Sequence, residues 1–225
     1  IQNAMPLPGC FFAANRRAGR LVQTAIFAAV KINHRLVIRL LQWATICVFA
    51  GRAWQHLFFD APYRELLWDE NLMRPLVEGF TDLNWQEYVT HPRGDVWIRR
   101  WIFSNGVFLA ACALVAAFIQ KQPRFFRIFL WLGAANLFFL ALLYLKEYFL
   151  HLGQFFEYSL QFGSPVFLWF ALKKGEVTGR LAFWMKVAIA ATFICHGMYA
   201  LGYYPRPGSF YQMTMQILGV DEQGA

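Results

Sequence analysis

The chain has 225 residues, of which 58% are hydrophobic and 15% charged, and its formal net charge is +8. A soluble domain carries roughly 25% charged residues, so an ordinary water-soluble fold is excluded. Several apolar runs instead reach the roughly 20 residues that cross a bilayer as a helix.

The N-terminal part is basic without relief. No Asp or Glu precedes Asp60, whereas Arg16, Arg17, Arg20, Lys31, Arg35, Arg39 and Arg52 do. These cations flank apolar segments, which fits retention on the cytoplasmic side better than a nucleic-acid-binding arm. Within residues 1–35, the stretch Leu21 to Val30 is too short to span. It reads as an amphipathic interfacial helix with its basic side chains among headgroups.

A transmembrane bundle follows over residues 36–204. The first span is expected from about Leu40 to Phe59. The connection after it, residues 60–100, gathers Asp60, Glu65, Asp69, Glu70, Glu78, Asp82, Glu87 and Asp95 out of 13 acids in the chain. Its apolar residues recur near helical spacing, so one or two amphipathic helices are expected to cap the outer end. The second span is expected from about Trp101 to Ile119, the third from Ile128 to Leu150, the fourth from Gln154 to Leu172 and the fifth from Leu181 to Tyr204. Residues 205–225 form an outer-side tail. The expected fold is therefore all-α, a polytopic bundle of about five spans.

Alternation of these spans puts Lys121, Arg124, Arg127, Lys173, Lys174 and Arg180 on the side of the basic N-terminus and the acidic loop on the other. Arg99 and Arg100 break the pattern, and both can snorkel into outer headgroups. A bacterial inner membrane is the expected location, with an organellar inner membrane as the alternative. Cys10, Cys47, Cys112 and Cys195 show no C-x-x-C spacing, and no metal site is indicated. Ala44-Thr45 ahead of Gly51 is echoed by Ala191-Thr192 ahead of Gly197, and a genuine repeat would make the fifth span the opening of a second four-helix unit.

Ionisable groups inside spans cost roughly 2.5–3.5 kcal/mol each and need a partner, a cavity or a role. Arg52 and His56 lie four residues apart and share a helix face. Glu147 and His151 end the third span, Glu157 begins the fourth, and His196 lies in the outer half of the fifth. All are placed near one membrane face, where an Arg52–Glu157 ion pair would join the first and fourth spans. As a single site they suit a quinone, with Arg52, His56 and His151 orienting the headgroup and Glu147, Glu157 and His196 carrying protons. A b-type haem between His56 and His196 is a weaker fit, resting on two histidines alone. The alternative is a non-catalytic subunit, its Phe-rich faces meeting lipid, partner helices or further copies of itself. No nucleotide loop, H-E-x-x-H or G-x-S-x-G motif occurs.

Two patches, Gly51-Arg52-Ala53-Trp54-Gln55-His56-Leu57-Phe58 and Cys195-His196-Gly197-Met198-Tyr199-Ala200-Leu201, resemble the DoxX-like group of small membrane proteins. That resemblance implies a four-helix transmembrane unit, which the acidic loop and fifth span exceed. It also implies, through members associated with quinone-linked sulfur oxidation, a link to quinones.

Overall fold

The computed structural model describes residues 33–120, 123–147, 150–203 and 219, and every regular element among them is helical. The expected interfacial helix and, Gly219 apart, the tail lie outside the described residues. Helix α1 spans His34–Phe58. It starts earlier than hydropathy suggests because the Asn33 side chain accepts from Leu36 N and caps it. Three short helices follow: α2 (Tyr63–Leu67), α3 (Glu70–Phe80) and α4 (Trp85–Thr90). Helix α5 is Gly94–Phe118, a 3-10 turn at Arg124–Arg127 leads into α6 (Ile128–Glu147), and α7 (Leu152–Glu157), α8 (Ser159–Lys174) and α9 (Gly179–Ala200) follow.

Four helices, His34–Phe58, Gly94–Phe118, Arg124–Glu147 and Gly179–Tyr199, are long and apolar enough to cross a membrane. The chain is an integral membrane protein. The expected unbroken span from Gln154 to Leu172 is interrupted at Tyr158. That leaves α8 with 16 residues, roughly 24 Å of helix against an apolar layer of about 30 Å.

A break in this environment must satisfy its own backbone, because lipid offers no hydrogen bonds. The Leu160 amide, freed at the start of α8, donates to Thr192 Oγ1 of α9 at 3.2 Å. Ser159 Oγ donates to Ala188 O at 3.1 Å and lies 3.2 Å from the same Thr192 hydroxyl. Further along, Pro165 has no amide to offer the Gln161 carbonyl, and Ser164 Oγ supplies the donor instead at 3.2 Å.

Among the contacts that join the long helices are a tight glycine contact and two polar clamps. Phe49 of α1, fully buried, fills the space that a side chain would need at Gly133 of α6; a Cβ there would stand 2.5 Å from Phe49 Cζ. In the first clamp, Gln42 Nε2 donates to Ala116 O (2.8 Å) and Ala117 O (3.0 Å), while Gln42 Oε1 accepts from Gln120 Nε2 (2.8 Å). It thereby serves carbonyls that the end of α5 leaves open. Asn136 of α6 donates to Asn105 Oδ1 of α5 at 2.7 Å.

The connections close at two ends. At the base, Val177 N donates to His34 Nδ1 (3.2 Å) and Arg127 to Leu172 O (3.3 Å). Gly175, at φ +74°, takes the left-handed turn that ends α8. At the opposite, cap end, α2 to α4 lie over α5 and α6, with Lys146 of α6 bonded to Asp69 Oδ2 (2.6 Å) and Glu65 O (2.7 Å). Where one or two cap helices are expected, there are three.

Replacing Gly133 with Val should lower thermal stability in detergent by about 1–3 kcal/mol through overpacking against Phe49. Shortening Phe49 to Leu in the same chain should restore part of the loss.

Candidate functional site

The sequence-predicted residues fall into three groups at the cap end. The first is centred on Arg52. Its Nε donates to Gln161 Oε1 at 2.8 Å, and its Nη1 donates to Gln55 Oε1 and, at 3.5 Å, to Tyr144 Oη. The guanidinium carbon stands 4.8 Å from the centre of the Tyr158 ring and 5.4 Å from that of Tyr144. Those two rings stack 5.0 Å apart and within 7° of parallel. Gln55 Nε2 completes the cluster with a 2.6 Å bond to Tyr144 Oη.

Arg52 therefore has neutral partners from α1, α6, α8 and the Tyr158 break, and among the described residues no carboxylate is bonded to it. The expected Arg52–Glu157 ion pair does not form. Glu157 instead faces α9, where its Oε1 lies 2.9 Å from His196 Nδ1. The His196 side chain is 64% exposed, so this pair opens to the surroundings, whereas the Glu157 side chain is 24% exposed.

His56 is 2% exposed. Its Nδ1 is 2.7 Å from the Arg52 carbonyl, which can only accept, so Nδ1 carries the proton. Its Nε2 lies 3.4 Å from Tyr63 Oη, and in the neutral ring it accepts from that hydroxyl. Burial pushes the Tyr63 phenol up to about 12, with Tyr144 adding to the effect. Tyr63 thus stays a neutral donor throughout the physiological range.

The third group belongs to the cap. Glu147 ends α6 with Oε2 buried and without a hydrogen-bond partner, and the nearby charges acting on it are Glu65 and Asp60. His151 is the N-cap residue of α7, its carbonyl accepting from Gln154 N at 2.9 Å. The six expected site residues are thus spread over the cap end, and Gln55, Tyr63, Tyr144 and Gln161 stand among them without having been anticipated.

Beside Tyr63 lies a cavity of about 540 Å³, lined by Tyr63, Leu66, Trp68, Tyr88, Trp97 and Trp101 among others. Its size falls in the range of small-molecule sites, and its mixture of apolar wall and few polar groups is of the kind such sites use. Cap helices close one side and α5 the other. Tyr88 fixes the cap by donating to Leu67 O at 3.2 Å.

Comparison of the chain with protein-family models, with curated proteins and with solved structures returned no match.

Asp69 holds the cap in two ways, accepting from Lys146 and from Leu72 N at 3.0 Å. The bond from the Lys146 ammonium, then that from Leu72 N, hold its carboxyl below the usual range. A depressed carboxyl stabilises the fold above its unfolded value, about 3.9, and that contribution disappears as pH falls through the folded value. Asp69→Asn should therefore lower stability at neutral pH and narrow its gap to the parent chain on acidification below about pH 4. Thermal unfolding in detergent across that range measures the gap.

Proposed function

We propose that this membrane protein binds a lipid-soluble molecule with a flat polar head, of the quinone class, in the aromatic cavity at its cap end, and handles protons there as one component of a redox system. The observation that carries this reading is the cavity itself, with Tyr63 in its wall and the hydroxyl of that residue tied to the buried His56. A quinone needs an apolar slot for its ring and a donor for its carbonyl. The three tryptophans offer apolar faces and indole N–H donors of that kind, and the Tyr63 hydroxyl donates to a bound carbonyl by turning its one proton away from His56.

Glu157 and His196 form a carboxylate–imidazole pair at the surface. In this reading they exchange protons with the surroundings, Arg52 adds a fixed positive charge nearby, and electrons come from a redox partner protein. The resemblance to the DoxX-like group lies along α1 and α9, which carry Arg52, His56 and His196; it favours the same reading by analogy. Quinone is preferred to haem because both ring nitrogens of His56 already have protein partners.

A second reading, a non-catalytic subunit of a larger assembly, is favoured by α9. This helix packs chiefly on α7 and α8 and leaves Phe183 (58%), Trp184 (52%), Phe193 (68%) and Ile194 (62%) exposed. Partner helices or acyl chains would cover them.

We also assign the base, with Arg35, Arg39, Arg124, Arg127, Lys173, Lys174 and Arg180, to the cytoplasmic side of a bacterial inner membrane. Fusion of a periplasm-dependent reporter within residues 81–84 should give activity, and fusion at 175–177 should give none. The reverse pattern would invert the topology.

The cavity is tested by gentle purification, solvent extraction and mass spectrometry. About one quinone per chain is expected, falling at least threefold in Trp97→Ala and Tyr63→Phe. Quinone content no higher than in the co-purified bulk lipid, unchanged by both substitutions, would leave the subunit reading in possession.

A further inference from the structure

Arg99 and Arg100 stand at the wrong end of the bundle for the charge pattern of the rest of the chain, and the quinone reading does not use them. They line a second cavity, about 870 Å³, on the other side of α5 from the aromatic one. Its apolar wall includes Leu57, Phe58 and Phe103, and Ser104 lies one turn below Arg100. Phe58 and Phe103 are 63% and 55% exposed, so the wall faces outward along the apolar helices.

The charges in this groove do not cancel. Arg64 bonds both Asp60 and Asp95, the latter at 2.6 Å, and Arg99 Nε bonds Asp95 at 2.6 Å. Both carboxylates are thus occupied, and Arg99 keeps its two terminal nitrogens. Arg100 has no carboxylate partner among the described residues; its guanidinium carbon lies 5.5 Å from the centre of the Trp97 ring. Three guanidinium groups face two carboxylates, and the excess positive charge lies at the rim.

Depth agrees with this chemistry. Helix α5 has 25 residues, roughly 37 Å, which exceeds an apolar layer of about 30 Å by a little over one turn. Taken at this end, that excess covers Gly94 to Ile98, which puts Arg99 and Arg100 at the headgroup boundary and Phe103 and Ser104 just inside the acyl region.

We propose that this groove is a binding site for an anionic phospholipid. Its phosphate is held by Arg99 and Arg100, with the Ser104 hydroxyl as a further donor to the glycerol ester region. One acyl chain runs along Leu57, Phe58 and Phe103. The guanidinium groups supply paired donors suited to phosphate, and the apolar wall selects a lipid over a free anion.

The test is native mass spectrometry of the full chain released from nanodiscs holding equal phosphatidylglycerol and phosphatidylcholine. The parent chain should retain phosphatidylglycerol at least threefold over phosphatidylcholine, and Arg99→Gln/Arg100→Gln should bring that ratio close to one. Arg74→Gln, which removes a cap charge paired with Glu70 and Glu78, should leave the ratio unchanged. Equal retention of the two lipids by the parent chain overturns the proposal without recourse to any variant. An equal loss in Arg74→Gln overturns it as well, since net charge alone would then explain retention. Thermal protection by inorganic phosphate equal to that by phosphatidylglycerol would make the occupant a free anion and sink the lipid assignment.

Discussion

An arginine carried into an apolar layer costs roughly 2.5–3.5 kcal/mol by insertion scales, and the helices around Arg52 are arranged to offset that cost. Two amides accept from the guanidinium and two tyrosine rings lie beside it, so the positive charge is kept without a carboxylate. The partners come from α1, α6, the Tyr158 break and α8, so one side chain joins three legs of the bundle. The break belongs to the same arrangement. By ending α7 at Glu157 and starting α8 at Ser159, the chain offers Arg52 both a ring and, three residues later, an amide. Glu157 is left to pair with His196 on α9.

The cap end depends on a simpler geometry. The first turns of α5 present Gly94, Trp97, Ile98 and Trp101 to the aromatic cavity, at the i, i+3, i+4, i+7 spacing of one helix face. Asp95, Arg99 and Ile102 point to the charged groove by the same period. One short segment therefore serves two unlike environments, and the Tyr63–His56 hydrogen bond connects a residue lining the first to a residue lining the second.

The membrane character of this chain was legible from composition, because long apolar runs have no other ordinary use. The apolar stretches of the long helices followed from hydropathy, but α1 starts at His34 and α5 at Gly94, well before the expected Leu40 and Trp101; the Asn33 cap accounts for the first. The break at Tyr158 was not legible. Glu157, Tyr158, Ser159 and Gln161 are visibly polar, but hydropathy averages across them, and the groups that stabilise the interruption, Arg52 and Thr192, are distant in sequence. The ion pair drawn between Arg52 and Glu157 rested on opposite charge alone. Amides and phenols carry no charge pattern to read, which is why Gln55, Tyr144 and Gln161 were passed over. The aromatic cavity escaped notice for a related reason: Trp68 joins Trp97 and Trp101 only when the cap folds back over α5.

The bond from the Leu160 amide to Thr192 also bears on the order in which the protein is made. Synthesis delivers the broken leg before α9, so for a time the Leu160 N–H and the Ser159 hydroxyl have no Thr192 to meet. In lipid an open amide is costly. The segment around Tyr158 therefore has reason to wait near the headgroups, or beside the insertion machinery, until α9 enters and closes the gap. Maturation of the bundle then includes a docking step, in which a later helix completes the backbone of an earlier one.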